Sequence, residues 1–508
     1  MVSETPDAIK AGRREWSALG VLVLVVTLLA IDGTVLYLAV PSLTADIGPS
    51  ATELLWIGDI YSFVLAGLLI TMGNIADRIG RKRLLLVGAS AFGIASTLAA
   101  FAPDAGTLIA ARALLGVAGA TLMPSTLSIV RAMFADAKQR TTAIAIWSAG
   151  AMAGAAAGPL VGGLLLEHYW WGSVFLVNLP IMALVLTAGP VLIPESRGDA
   201  AKKIDVRSSL LSITAIVPIV YAVKHWVGSG WDAGVPVAAL VGIVSGWLFI
   251  RRQRKLPHPL LDITLFRVPA FTGAVASNGL AIFAFIGLLY FYSQYLQLVR
   301  EFSPLQAGVA ELPGTLASIA VIAVVGAVST RFGAGRAIGF GLAIGALGLT
   351  GIGASVFHAD YWPLALALVV IGFGIGIAMT LSTDAVVSAV PKERAGAASA
   401  IAETAYELGT ALGIAALGSL HFLMYRSHLD LPAETAANDA VTANASLAET
   451  ITTVADPVVV EHARDAFATA VQTTSFTAAG LLVLAAVAAW RMIPSDRPGL
   501  RKESHGGH

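Results

Sequence analysis

The chain has 508 residues, 56% of them hydrophobic and only 13% charged, and its formal net charge is zero. A soluble domain carries roughly 25% charged residues, so lipid is the expected solvent for most of this chain, and the lack of a net basic field argues against a nucleic-acid partner. No cysteine occurs, which excludes disulfides, thiol chemistry and cysteine-ligated metal.

Residues 1–16 are polar, and the apolar run after them is too long for a signal-peptide core and has no A-x-A-like cleavage site, so it reads as a cytoplasmic tail followed by a retained helix. About 20 apolar residues in a helix cross the hydrocarbon core with every backbone polar group satisfied. Such runs occur at 17–40, 54–72, 84–101, 108–129, 143–165 and 174–193, then at 210–227 and 235–250, and again at 270–294, 307–328, 337–356, 363–386, 397–422 and 473–489. The pattern predicts an all-α membrane protein of about 14 spans: a six-helix bundle over 17–194, two linker helices with cytoplasmic loops over 195–268, a second six-helix bundle over 269–491, and a cytoplasmic tail over 492–508.

With the first end inside, the predicted interior segments hold 27 of the 32 Lys and Arg residues. Basic residues are retained on the cytoplasmic side, so both ends are predicted to be cytoplasmic. Arg112 lies within a span, and Lys224, Arg300, Arg426 and Arg464 fall at or beyond the outer face. The one long exterior segment, 425–472, is Ala-rich after Pro432 and after Pro457. Two short helices forming a hairpin outside the membrane are expected there, with a disordered loop as the alternative.

The segment 73–83 reads Gly-Asn-Ile-Ala-Asp-Arg-Ile-Gly-Arg-Lys-Arg, and 326–336 reads Gly-Ala-Val-Ser-Thr-Arg-Phe-Gly-Ala-Gly-Arg. Gly73, Arg78, Gly80 and Arg83 recur as Gly326, Arg331, Gly333 and Arg336 at a constant offset of 253 residues. Paired bundles related in this way alternate access to a site between them. Gly73 allows a close helix approach, Asp77 can cap the next turn or pair with Arg78 or Arg81, and the basic cluster holds the loop inside. Gly73, Asp77, Arg78, Gly80 and Arg81 are therefore candidate gate residues; a plain positive-inside anchor is the alternative.

An ionisable group inside a bilayer faces an interior and acts there by default. Counting along the helices, Asp32 lies ~22 Å above the cytoplasmic start of its span, and Asp59 and Arg112 each lie ~8 Å in from the outer face, so the three can share one cavity. Beside Arg112, the cation and desolvation would act on the Asp32 proton in opposite senses, as a reversible proton carrier needs. A static ion pair is the alternative, under which Asp32→Asn would harm folding more than transport. Glu403 and Glu407, four apart, share a helical face. Two such carboxylates in low dielectric do not both ionise cheaply, and Glu407 is the preferred second-half site for a cation or a proton. Glu311 and Asp384, near span ends, are further candidates, each with a hydrated boundary position as the alternative. Trp56, Tyr61 and Tyr406 can offer aromatic faces to a cation, or serve as interfacial anchors. In the fifth span Gly150, Gly154, Gly158, Pro159, Gly162 and Gly163 flatten one helix face for close contact.

The 73–83 segment resembles the signature loop of the major facilitator superfamily. Ile31-Asp32-Gly33-Thr34 through Pro41, Arg112 with Gly116 and Gly119, and the fifth-span glycine-proline series stand in the family's order, and the last is similar to the motif that marks its antiporters. The stretches Trp56-Ile-Gly-Asp59-Ile-Tyr61 and Ala405-Tyr406-Glu407-Leu408-Gly409 resemble the fourteen-helix drug:proton antiporters of the QacA type. The chain departs from the family's pattern at Leu115, often Gln, and at Gly172 and Ser173, where Arg-Trp is common.

The resemblance implies a multi-pass protein of the bacterial cytoplasmic (inner) membrane that exchanges protons for hydrophobic, often cationic, compounds by alternating access. It also implies the proton gradient as the energy source with no cofactor, and a monomer. Export of one specific metabolite, lipid or peptide is the alternative. An enzyme is not expected: no metal-ligand spacing, nucleophile motif or phosphate-binding loop occurs.

Overall fold

The structure, a computed structural model, describes residues 11–197, 205–256, 259, 261–390 and 395–494, so residues 1–10 and 495–508 of the expected tails lie outside the described residues. Every regular element among the described residues is helical.

Local chemistry sets the helix boundaries. α1 (Arg13–Ile47) stops at Gly48, whose φ of 53° is a left-handed cap and whose N–H donates to the Thr44 carbonyl. α2 (Ala51–Ile79) starts from a Ser50/Glu53 capping box, and Gly80, at φ 114°, turns it directly into α3 (Arg81–Ala100). Asp104 caps α4 (Ala105–Met133) and Asp136 caps α5 (Ala137–His168), each carboxylate accepting from the N–H three residues on. One turn, α6 (Ser173–Leu176), leads into α7 (Asn178–Leu192). α8 (Val206–Ser229) and α9 (Gly234–Gln253) follow, and the exposed Leu240, Ile243 and Trp247 of α9 suit a lipid-facing surface.

α10 (Pro269–Leu298) begins on proline, which the first helical turn tolerates. α11 (Pro304–Ala320) and α12 (Val325–Phe332) are separated by a 3₁₀ turn at Val321–Ala323 and bent by 54°, so the predicted span at 307–328 is a broken one. α13 (Ala334–Ser355) and α14 (Trp362–Ser388) precede α15 (Ala395–His428), and two short helices, α16 (Ala437–Ala445) and α17 (Leu447–Thr453), lead to α18 (Pro457–Met492). Among the described residues 13 helices are long and apolar enough to cross a membrane, and 14 do so if α11 and α12 form one span.

The exterior segment differs from the expected hairpin. The stretch after Pro432 supplies α16 and α17, whereas the stretch after Pro457 is continuous with the last membrane helix. Asp456 caps that helix, Pro457 sits in its first turn, and α18 runs 36 residues from there, or ~54 Å against a hydrocarbon core of ~30 Å. Ala443, Val454 and Val459 form a small buried cluster with Leu429 and Leu431, and the Tyr425 hydroxyl donates to the Ala443 carbonyl at 2.7 Å. The segment predicted to lie outside the membrane is thus folded.

The chain divides into two compact units. The first comprises residues 1–219 with 240–249 and 301–309, and the second 220–239 and 250–300 with 310–508. In lipid, apolar surface gains little by leaving its surroundings, so helix contacts depend on close approach at small residues. In the first unit Gly116 and Gly119 of α4 meet Tyr61, Val64 and Leu65 of α2. In the second, Gly279 and Gly287 of α10 face Ala405 and Gly413 of α15, and Gly341 and Gly348 of α13 face Gly374 and Ile371 of α14.

Candidate functional site

Asp32, halfway along α1, is 1% exposed and Arg112 of α4 is 2% exposed. Arg112 Nη1 lies 3.4 Å from Asp32 Oδ2, longer than the ~2.7–2.9 Å of a tight charge-assisted bond. The guanidinium is held as much by α2, donating to the carbonyls of Ile57 at 3.2 Å and Gly58 at 3.5 Å. The Tyr61 ring, 4.9 Å from the guanidinium carbon, adds a cation–π contact. The other carboxylate oxygen of Asp32 accepts from Asn178 Nδ2 at 2.8 Å, and the same amide donates to Ser96 Oγ of α3 at 3.0 Å. Four helices, α2, α3, α4 and α7, therefore converge directly or through one intermediary on the Asp32 carboxylate. Asp59, one turn past Trp56 on α2, is fully buried, and Trp56 is half-buried with its ring 6.3 Å from that of Phe63.

Asn178 and Ser96 escaped the sequence reading. The available signal was an amide in the apolar run Phe175-Leu-Val-Asn-Leu-Pro180, since polar groups at that depth are costly unless they serve something.

The glycines of α5 face α1. A methyl on Gly154 would strike the Thr27 carbonyl, one on Gly158 the Thr34 hydroxyl, and one on Gly150 or Gly162 the side chains of Val23 or Val35. Thr27 Oγ1 donates to the Gly150 carbonyl at 2.9 Å. This seam lies along the α1 segment that carries Asp32. Gly163 faces the other way, onto Pro304 and Leu305 of the same unit, and the Pro159 carbonyl faces Gly308.

At the α2–α3 turn, Asp77 pairs with Arg81 at 2.8 Å, and Arg81 Nη1 also donates to the Ser128 carbonyl of α4 at 3.2 Å. Arg78 is exposed, and Gly73 lies against Pro124. The repeat extends to the backbone: Gly80 and Gly333 have φ of 114° and 79°. Gly80 N–H bonds the Ala76 carbonyl and its own carbonyl accepts from Leu84, while Gly333 bonds Ser329 and Ala337, at the same offset of 253 residues.

In the second unit Glu407 is buried, and Glu403 and Tyr406 are half-buried. Gly409 and Gly413 of α15 meet the Gly279 and Phe283 carbonyls of α10, and Asn278 Nδ2 of α10 lies 3.5 Å from the Ala402 carbonyl. Glu407 is two residues from Ala405, about 200° round the helix, so it points away from the α10 seam and is still buried. Glu311 on α11 is 4% exposed among Tyr292, Ser293 and Tyr361, and Ser293 stands beside it without reaching hydrogen-bond geometry. Asp384, in contrast, is exposed. No cluster of His, Cys, Asp and Glu suited to a metal occurs among the described residues.

Residues 22–414 match the model of the Major Facilitator Superfamily. The chain is 46% identical over 494 residues to the multidrug efflux pump LfrA of Mycolicibacterium smegmatis, covering 96% of this chain and 98% of that protein. It is 37% identical over 484 residues to the methyl viologen resistance protein SmvA of Salmonella typhimurium, covering 94% and 98%. Among solved structures, a bacterial homolog of the human lysosomal transporter Spinster, inward-facing and unoccupied, superposes with a TM-score of 0.66 at 15% identity over 96% of this chain and 99% of that one, a likeness of fold. With its fold, its repeated glycine turn and these matches, the chain belongs to the major facilitator superfamily, as a multi-pass transporter of the inner membrane.

Proposed function

We propose that this transporter is a proton-driven multidrug exporter, exchanging protons for hydrophobic, often cationic, compounds such as quaternary ammonium salts, dyes and lipophilic antibiotics by alternating access. The observation that carries the reading is Asp32, a buried carboxylate held by Asn178 and loosely paired with Arg112. A carboxylate in such a setting takes up a proton or neutralises a cation, and the two are mutually exclusive. The names of the relatives, efflux of many drugs and resistance to methyl viologen, support the substrate class. Glu407, with Glu403 one turn away, supplies a second carboxylate in the other unit, and Glu311 a third. The proton gradient is the energy source, no cofactor is needed, the chain works as a monomer without nucleic acid, and it catalyses no covalent chemistry.

The test is ethidium efflux from vesicles with an imposed pH gradient, comparing the native chain with Asp32→Asn and Glu407→Gln. Each variant is expected to lose at least about tenfold in gradient-driven efflux, a barrier change of ~1.4 kcal/mol, while keeping its elution profile in detergent. Efflux that ignores the gradient refutes antiport. Native efflux in both variants refutes the assignment of these carboxylates.

A further inference from the structure

The α3–α7 pair touches both the buried site and the cytoplasmic turn. At the outer end, Asn178, the first residue of α7, bonds both Asp32 of α1 and Ser96 of α3. At the inner end, the chain just after α7 is fastened to the Gly80–Arg83 turn by several contacts. Glu195 Oε1 accepts from the Lys82 N–H at 3.2 Å, and the Ser196 carbonyl accepts from the Arg81 N–H at 2.9 Å. Lys82 Nζ donates to the Pro190 carbonyl at 2.6 Å, and Glu195 Oε2 lies 3.9 Å from Arg83 Nε. The Glu195 carboxylate also fills the space beside Gly80 where a Cβ would stand, 2.7 Å from its ideal position. Between the ends, Gly93 faces Leu179 and Met182, and Gly189 faces Leu86. From Arg81 to Ser96 and from Asn178 to Leu192 both helices cover ~21–22 Å.

We propose that α3 and α7 form one coupling element between the Asp32 site and the cytoplasmic gate turn, with Asn178 and Glu195 as the positioning residues at its two ends. The proposal rests on Asp32 being the exchanging carboxylate. When Asp32 gains or loses charge, the hydrogen bond it accepts from Asn178 changes strength, and a pair of helices clamped at both ends carries that bias to Gly80–Arg83. Other charged or titratable groups at the site are Arg112 from α4 and Tyr61 from α2; at the turn there is Asp77 from α2, and Arg14 of α1 donates through Nη2 to the Val191 carbonyl at the end of α7 at 2.7 Å. Glu195 joined no motif in the sequence, because its partners are more than 110 residues away.

The chain contains no cysteine, so Ile79→Cys, at an exposed position beside Gly80, gives a single maleimide-reactive reporter on the turn. Its labelling rate in nanodiscs would be measured with and without Asp32→Asn, which mimics the protonated carboxyl. Asp32→Asn is expected to change the rate by about fivefold or more, the lower range of coupling between sites. In Glu195→Ala or Asn178→Ala backgrounds that change should fall below about twofold. Glu195→Gln, which keeps an acceptor for the Lys82 N–H, should retain most of it, an outcome that general destabilisation would not give. A response to Asp32→Asn that persists in both alanine backgrounds overturns the proposal, as does no response in the otherwise native chain. If the response is present and needs Glu195 while efflux survives Asp32→Asn, the coupling element stands and the exchange site lies elsewhere.

Discussion

Gly154→Ala adds one methyl to α5 at its closest approach to α1. The new Cβ would land on the Thr27 carbonyl, with the Thr27 carbonyl carbon and Cα both at 2.9 Å, against 3.4–4 Å for ordinary contact. Backbone on both sides leaves no rotamer to relieve the clash, so the helices must part by roughly 1 Å in an interior packed at crystal density. Overpacking of this kind costs about 1–3 kcal/mol, and alanine returns about 1 kcal/mol of helix propensity relative to glycine. The net loss of stability is therefore about 0–2 kcal/mol, and the bond from Thr27 Oγ1 to the Gly150 carbonyl is strained as well. Transport should suffer more than stability. Asp32 lies five residues beyond Thr27 on the same helix, and a ~1 Å displacement of a reacting group can cost as much as a hundredfold. Dye efflux by Gly154→Ala is expected to fall between about tenfold and a hundredfold, with a thermal midpoint in detergent only a few degrees lower. Gly20→Ala is the control, because nothing lies within 4 Å of the methyl it adds to α1. Equal pumping by the two variants would refute the argument that the α1–α5 seam positions the site.

The folded segment before α18 and the α8–α9 loop give two more predictions. Tyr425→Phe removes the hydroxyl that joins α15 to the Ala443 carbonyl of α16, at a cost of about 1 kcal/mol for a buried bond; limited proteolysis should cut 429–456 faster while efflux stays native, and unchanged cleavage would show that the segment does not depend on this bond. Asp232 in the α8–α9 loop is held below the ordinary aspartate range, chiefly by the His225 hydrogen bond and further by the N–H groups of Val235 and Gly234. A lowered carboxylate contributes stability that is complete above the unfolded value of about 3.9 and is lost as pH falls through the folded value below it. The Asp232 carboxyl signal, identified by difference from Asp232→Asn in NMR of aspartate-labelled protein, should therefore stay ionised down to about pH 4, and a midpoint above that pH would contradict the assigned contacts.

What the sequence made legible and what it hid divide along a physical line. Hydropathy, basic residues and glycine placement are local properties, and they led to the spans and to the shared turns at Gly80 and Gly333, whose positive φ values only the structure adds. Partner choice is tertiary. Asp77 takes Arg81 rather than Arg78 because the turn at Gly80 brings the residue four along back over α2, while Arg78 points outward. The bend between α11 and α12 was invisible because 321–324 is as apolar as its flanks. Glu311 and Asp384 make the distinction sharpest. Both sit near span ends, yet one is buried among Tyr292, Ser293 and Tyr361 and the other is exposed. A residue's place along a span fixes its depth in the bilayer, whereas the direction in which it leaves the helix decides whether it meets a protein interior. That direction depends on which neighbouring faces are free for packing, and on α1 and α15 glycine seams occupy one face each. Glu407 leaves its helix on the side opposite its seam, whereas Asp32 lies about 140–180° round from Val23, Thr27 and Thr34 but only about 60° from Val35, and both stay buried. The small residues that draw two helices together thereby also limit where a carboxylate on those helices can be buried.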